Sequence, residues 1–205
     1  MANLMDLLEG QLSGGVMDML TQQIGAGNRD QTATATKGIV STLMTQLMKN
    51  AASKAGAAAL SGALDRDHDG SILDDVMGMV TGASSPSNTK ATNGAGILKH
   101  VFGEKQGNVM DMIGQMSGLD KSSTGSLMET LAPMVMGTLG KQKREQNLDM
   151  DGIRDLLGNT VKSAQQDRAE MSMIEKFLDQ DGDGSVMDDL MNMGGKLLGG
   201  FFKNK

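Results

Sequence analysis

The sequence predicts an all-α protein in two related helical halves, each ending in an EF-hand-like helix–loop–helix. Three observations carry that reading. Ala, Leu and Met are the main apolar residues, and all three favour helix; 20 Met stand against four Phe and no Trp, Tyr or Cys. Apolar residues recur at helical spacing along both halves. Finally, one acidic run occurs twice, at 64–75 and at 178–189, identical at eight of twelve positions.

The two runs have the chemistry of a calcium loop. Asp65, Asp67 and Asp69, and again Asp179, Asp181 and Asp183, occupy every second position. A Gly follows the third acid and supplies the sharp turn that lets the next carbonyl, of Ser71 or Ser185, join the carboxylates. Two carboxylates about 5 Å apart repel by roughly 3 kcal/mol at an effective dielectric near 20, so a bound cation relieves real strain. Asp, Gly and Ser also make ordinary turns and helix caps, but two matching copies favour metal. The expected ion is Ca2+, with Mg2+ as the alternative. Position 12, normally a bidentate Glu, is Val76 or Leu190, on the apolar face of the helix that follows. The closing ligand is therefore expected from Asp74 and Asp188, with Asp75 and Asp189 as helix-start charges, or the reverse. The short closing resembles that of excalibur-type relatives of the EF-hand.

Along the chain, residues 3–24 read as two short amphipathic segments broken at Gly14-Gly15, followed by a turn at 25–28. Asp30 is the expected cap of a helix whose apolar face is Ile39, Val40, Leu43, Met44, Leu47 and Met48. An Ala-rich helix at about 52–64 leads into the first acidic loop, and its exit helix is expected to run to about Val80. A Ser/Thr/Asn/Gly stretch then reads as linker, which divides the chain into 1–81, a linker at 82–96, and 97–205. A compact helix beginning near Ile97 ends at Gly103. Ile39 to Met44 aligns with Leu131 to Met136 at an offset of 92 residues, the sign of an internal duplication. Pro133 is expected to start or kink its helix. A third, degenerate loop at 147–152 has a simpler reading in which Asp151 caps the helix carrying Ile153, Leu156, Leu157 and Val161.

Other chemistry is scarce. Met-x-Met pairs such as Met17/Met19 and Met134/Met136 could suggest copper(I), but residues two apart on a helix point about 200° apart. They read better as adaptable core filler. His68 is expected at an outward loop position and His100 on a helix surface. No nucleophile, zinc spacing or phosphate loop supports an enzyme. A net charge of −6 without stacking aromatics argues against nucleic acid. No stretch is long and apolar enough to span a membrane. The first residues lack a secretory signal, so cytoplasm is the expectation, with export without a cleavable signal left open.

The runs GILKHVFGEKQ at 96–106, SGLDKSS at 117–123, LAPMVMGTLGKQ at 131–142 and the closing LDQDGDGSVMDDL with GGKLLGG resemble a bacterial family, domain of unknown function 937, related to the YidB-like proteins. The resemblance implies a bacterial, helical, non-enzymatic protein. Two function classes follow from the residues. The first is a calcium-stabilised structural, self-assembling or partner-binding module with Met-rich contact surface. The alternative is a metal-dependent hydrolase using Asp74/Asp75 or Asp188/Asp189, ranked lower because adjacent acids on a helix diverge.

Overall fold

The structure, a computed structural model, describes residues 4–12, 15–25, 27–68, 78 and 91–166. The chain divides into two compact units, Met1–Val161 and Lys162–Lys205. Every element among the described residues is helical. In chain order these are α1 (Leu4–Gln11), α2 (Gly15–Ile24), α3 (Arg29–Ala51), α4 (Lys54–Arg66), α5 (Gly94–Phe102), a 3-10 turn (Gly103–Lys105), α6 (Gln106–Ser117), α7 (Lys121–Glu145) and α8 (Met150–Gln166).

The first unit is built around α7. Residues 131–140 of this helix are all buried, as are Leu127 and Met128 above them. A helix that is apolar on all sides has no face for water and must be wrapped. Each of α1 to α6 packs against it. Leu127, Leu131 and Leu139 are fully buried, and each such side chain contributes about 1.5–3 kcal/mol by leaving water. The helix runs unbroken through Pro133, so the proline does not start it. Proline has no N–H for the carbonyl four residues back, that of Glu129. Gly94, the first residue of α5, sits against that carbonyl so closely that a Cβ there would lie 1.8 Å from Glu129 O. The proline gap in α7 is thus where α5 makes its closest approach.

Caps fix where the helices begin. Asn28, in extended conformation, accepts from the Gln31 N–H at 3.0 Å, and the Gln31 side chain accepts from the Asn28 N–H at 3.0 Å. This reciprocal box makes Asn28 the cap of α3, where Asp30 was expected; Asp30 lies within the first turn. Asp120 caps α7, accepting from the Ser122 and Ser123 N–H groups, and the Ser123 hydroxyl donates to it at 2.7 Å. That hydroxyl bond, then the Ser123 and Ser122 amides, hold the Asp120 carboxyl below its ordinary pKa. Asp149 caps α8 by accepting from the Gly152 N–H at 2.8 Å, which corrects the expectation for Asp151; Asp151 instead pairs with Arg154. The 147–152 stretch is therefore a helix start. Ser53 opens α4 at Lys54, slightly later than expected. Asn93 opens α5 inside the stretch read as linker, and Ala91 before it is already buried. The expected exit helix to Val80 lies outside the described residues, apart from helical Gly78.

The turns that precede α3 and α7 lie together. Gly27 and Gly118 both adopt left-handed backbone, at φ 80° and 78°. The Gln31 side chain crosses between them and donates to Gly118 O at 3.1 Å. One glutamine thus completes the cap of α3 and satisfies a carbonyl at the end of α6.

Two glycines give a clean contrast. Gly94→Ala forces a methyl into the α7 backbone and should cost about 2–3 kcal/mol. Gly62→Ala, in α4 with nothing within 4 Å of a new Cβ, should stabilise by about 0.5–1 kcal/mol. Thermal melts followed by circular dichroism should move in opposite directions for the two variants.

Candidate metal centre

Two of the predicted metal ligands, Asp65 and Asp67, lie within the described residues, and both are held by the end of α4. Asp65 stands in its last turn. Asp67 is the residue after the helix, and its N–H donates to Ala63 O at 2.9 Å. Loop positions 1 and 2 are therefore helical, and the chain leaves the helix only at position 3. Asp69, Ser71 and Asp74, with Asp75, lie outside the described residues, as do Asp179, Asp181, Asp183, Ser185, Asp188 and Asp189. Among the described residues no three His, Asp or Glu side chains gather in a metal-holding group.

Each of the two carboxylates has a cationic partner from the chain itself. Asp67 Oδ2 lies 3.2 Å from Arg66 Nε, and the Arg66 side chain is 75 % exposed. Asp65 Oδ1 accepts from Lys143 Nζ, across 78 residues of sequence. That lysine is different in kind: its side chain is 12 % exposed, against 65 % for Asp65. Exposed pairs of this sort contribute between nothing and about 1 kcal/mol. A lysine stem lying mostly in protein has fewer places to go. No periodicity or motif marks Lys143, and only the packing of α4 against α7 brings it to the loop.

His68, at loop position 4, departs from the outward placement expected for it. It is buried, and among the described residues its Nδ1 has no hydrogen-bond partner. The expectation treated the run as an open loop from its first residue, whereas α4 persists to Arg66 and leaves His68 just beyond the cap. Burial lowers its pKa below 6.5, with the Asp67 charge opposing that shift. His100 lies exposed on α5 as expected.

A second feature lies away from the loop and was not expected. An open pocket of about 220 Å³ sits between α1, α2 and α3, lined by Leu8, Leu12, Met17 and Val40 with Glu9 and Lys37 among its charged residues. The methionines sort by position: Met44, Met128, Met134 and Met136 are buried, while Met19, Met116 and Met150 are exposed.

Residues 6–142 match the model of a family described as a bacterial protein of unknown function (DUF937). The chain belongs to this family. The matched region takes in α2 to α6, the first acidic loop and all but the last residues of α7. It ends one residue before Lys143, and the second acidic run lies beyond it. No curated protein and no solved structure matches the chain. Among the described residues no helix is long and apolar enough to cross a membrane.

The buried imidazole sets a pH dependence. The unfolded chain takes up a proton near pH 6.5, whereas the folded chain, with its lowered pKa, resists it. Stability is full above 6.5 and falls as pH drops through 6.5 toward the folded value. In chelator, melts between pH 7.5 and 5 should show this loss, at most about 1.4 kcal/mol per pH unit for one group. His68→Leu should flatten that part of the curve and leave stability at pH 7.5 undiminished, since it also removes the unpaired nitrogen.

Proposed function

We propose that the chain is a non-enzymatic helical module whose two acidic loops bind a divalent cation, Ca2+ with Mg2+ as the alternative, and that it acts as a structural, self-assembling or partner-binding protein. The observation that carries the reading is the doubled run, Asp65, Asp67, Asp69, Ser71 and Asp74 matched by Asp179, Asp181, Asp183, Ser185 and Asp188. Three alternating carboxylates, a turn glycine and a ligating carbonyl suit a hard cation with oxygen ligands. The likeness of the motifs to YidB-like proteins belongs to the same reading.

The two-halves organisation is part of the proposal, and matched interactions support it. Val16-Met17-Asp18-Met19-Leu20 in α2 corresponds to Val109-Met110-Asp111-Met112-Ile113 in α6. Asp18 pairs with Arg29 at 3.3 Å and Asp111 with Lys121 at 2.8 Å, in each case the first residue of the following long helix. Those helices are capped by Asn28 and Asp120, 92 residues apart. One turn on, the buried Thr32 and Thr124 donate to the carbonyls of those two caps, at 3.0 and 2.9 Å. The same small solution is used twice. For partner binding, the support is the apolar pocket between α1, α2 and α3 and the exposed methionines.

Calcium should raise the melting temperature of the chelator-stripped protein, by the equivalent of about 2.7 kcal/mol at a hundredfold excess over Kd. Identical melts in calcium and in chelator would sink the metal reading. In calorimetric titration the 179–188 loop should fill first, because it lacks the Arg66 charge; Asp181→Ala should then remove the tighter phase and Asp67→Ala the weaker. Light scattering should show association at high concentration, and a clean monomer with and without calcium would exclude self-assembly.

A further inference from the structure

We propose that Met17 is a modification site, at which a hydroperoxide converts the thioether to a sulfoxide that the Thr36 hydroxyl then holds. The threonines of this fold share a habit. Thr32, Thr42 and Thr45 on α3, and Thr124, Thr138 and Thr160 on later helices, each donate to the carbonyl four residues back. Thr36, also on α3, is 3 % exposed and does otherwise: its hydroxyl donates across to Met17 Sδ on α2, at 4.0 Å. A thioether is a weak acceptor, and at this separation it leaves a buried hydroxyl poorly satisfied. An oxygen bonded to Sδ and accepting from Oγ1 at the usual distance of about 2.7 Å fits between the two atoms. Oxidation thus supplies the acceptor that Thr36 lacks.

Access separates Met17 from the methionines of the core. Met17 is half-buried and, together with Thr36, lines the open pocket between α1, α2 and α3. Hydrogen peroxide is little larger than the water that a polar-walled space of this size admits. Met44 and Met128, by contrast, are buried. The chain has no Cys, so its thioethers are the sulfur groups that a peroxide meets. In the step itself, the Met17 sulfur gives an electron pair to one peroxide oxygen; the S–O bond forms and the O–O bond breaks. The second oxygen of hydrogen peroxide leaves with both protons as water, so sulfur is oxidised by two electrons and the peroxide reduced by two. The product sets a polar group among Leu8, Leu12 and Val40, and so changes what that pocket can hold.

The test treats the folded, chelator-stripped full chain with dilute hydrogen peroxide and follows each methionine by peptide mass spectrometry. Cleavage before Asp6 and Asp18 isolates Met17 as the single methionine of its peptide, and chromatography separates the two sulfoxide epimers of that peptide. Met17 should oxidise within about threefold of the rate of exposed Met19, and about tenfold or more faster than Met44. The epimer whose oxygen faces Thr36 should prevail about fivefold, as one hydrogen bond of ordinary strength allows. Thr36→Val removes the hydroxyl and should bring the epimers to parity, while Thr36→Ser keeps it and should retain the excess. Oxidation of Met17 as slow as that of Met44 overturns the site. Equal epimers in the natural protein, or an undiminished excess in Thr36→Val, overturn the role of Thr36 and the proposal with it. Should Thr36→Val lose its helical circular dichroism, the natural protein and Thr36→Ser carry the decision, because equal epimers in either overturn it.

Discussion

Everything in the first unit depends on giving α7 a complete apolar surround. Ten consecutive residues, 131–140, are buried on every side, a degree of enclosure that one neighbouring helix cannot supply. The six helices before it do so together. The backbone chemistry of α7 then sets the closest contact. Pro133 leaves a carbonyl outside the helical ladder, and the chain answers with a residue that has no side chain, Gly94, at the start of α5. In a core with few aromatics, close backbone approach and flexible methionines take the place of large rings.

Polar groups around this core are arranged to cost little. Hydroxyls inside the bundle turn back on their own helix: Thr138 donates to Met134 O at 2.8 Å and Thr160 to Leu156 O at 2.7 Å. Ser117 does the same with Ile113 O, at 2.8 Å. Each satisfies itself locally, and Thr138 also reaches across to Gln11 Oε1 of α1 at 3.3 Å. Among the described residues, the buried side-chain atom left without a partner is His68 Nδ1, beside the acidic loop. The most expensive polar burial and the densest charge thus lie next to each other in sequence.

How much of this was legible follows from range. Local features could be read: the helical periodicity of α3, the break between α1 and α2, the glycine turn before α3, and the end of α5 at Gly103. Cap assignments failed by two residues, at Asp30 and Asp151, because several nearby side chains can each cap and only the backbone angle of Asn28 or the reach of Asp149 decides. The burial of His68 was hidden because the acidic spacing suggested an open loop while helix α4 continued into it. Of the site, the doubled acidic run gave the residue types, but nothing in it pointed to Lys143. Contacts such as Lys143 with Asp65, or Gln31 with Gly118, join residues 78 and 87 apart and leave no local pattern.

The position of α7 in the chain has its own consequence for biosynthesis. The helix that all of α1 to α6 require as their common floor occupies residues 121–145. On a ribosome, which delivers the chain from its N-terminus, all of α1 to α6 emerge before that floor is made. Until then Leu8, Leu20, Ile39, Leu43 and Leu64 have no finished interior to enter. The core of this unit can therefore close only once residues 121–145 have been delivered, and until then its apolar faces stay open to other contacts.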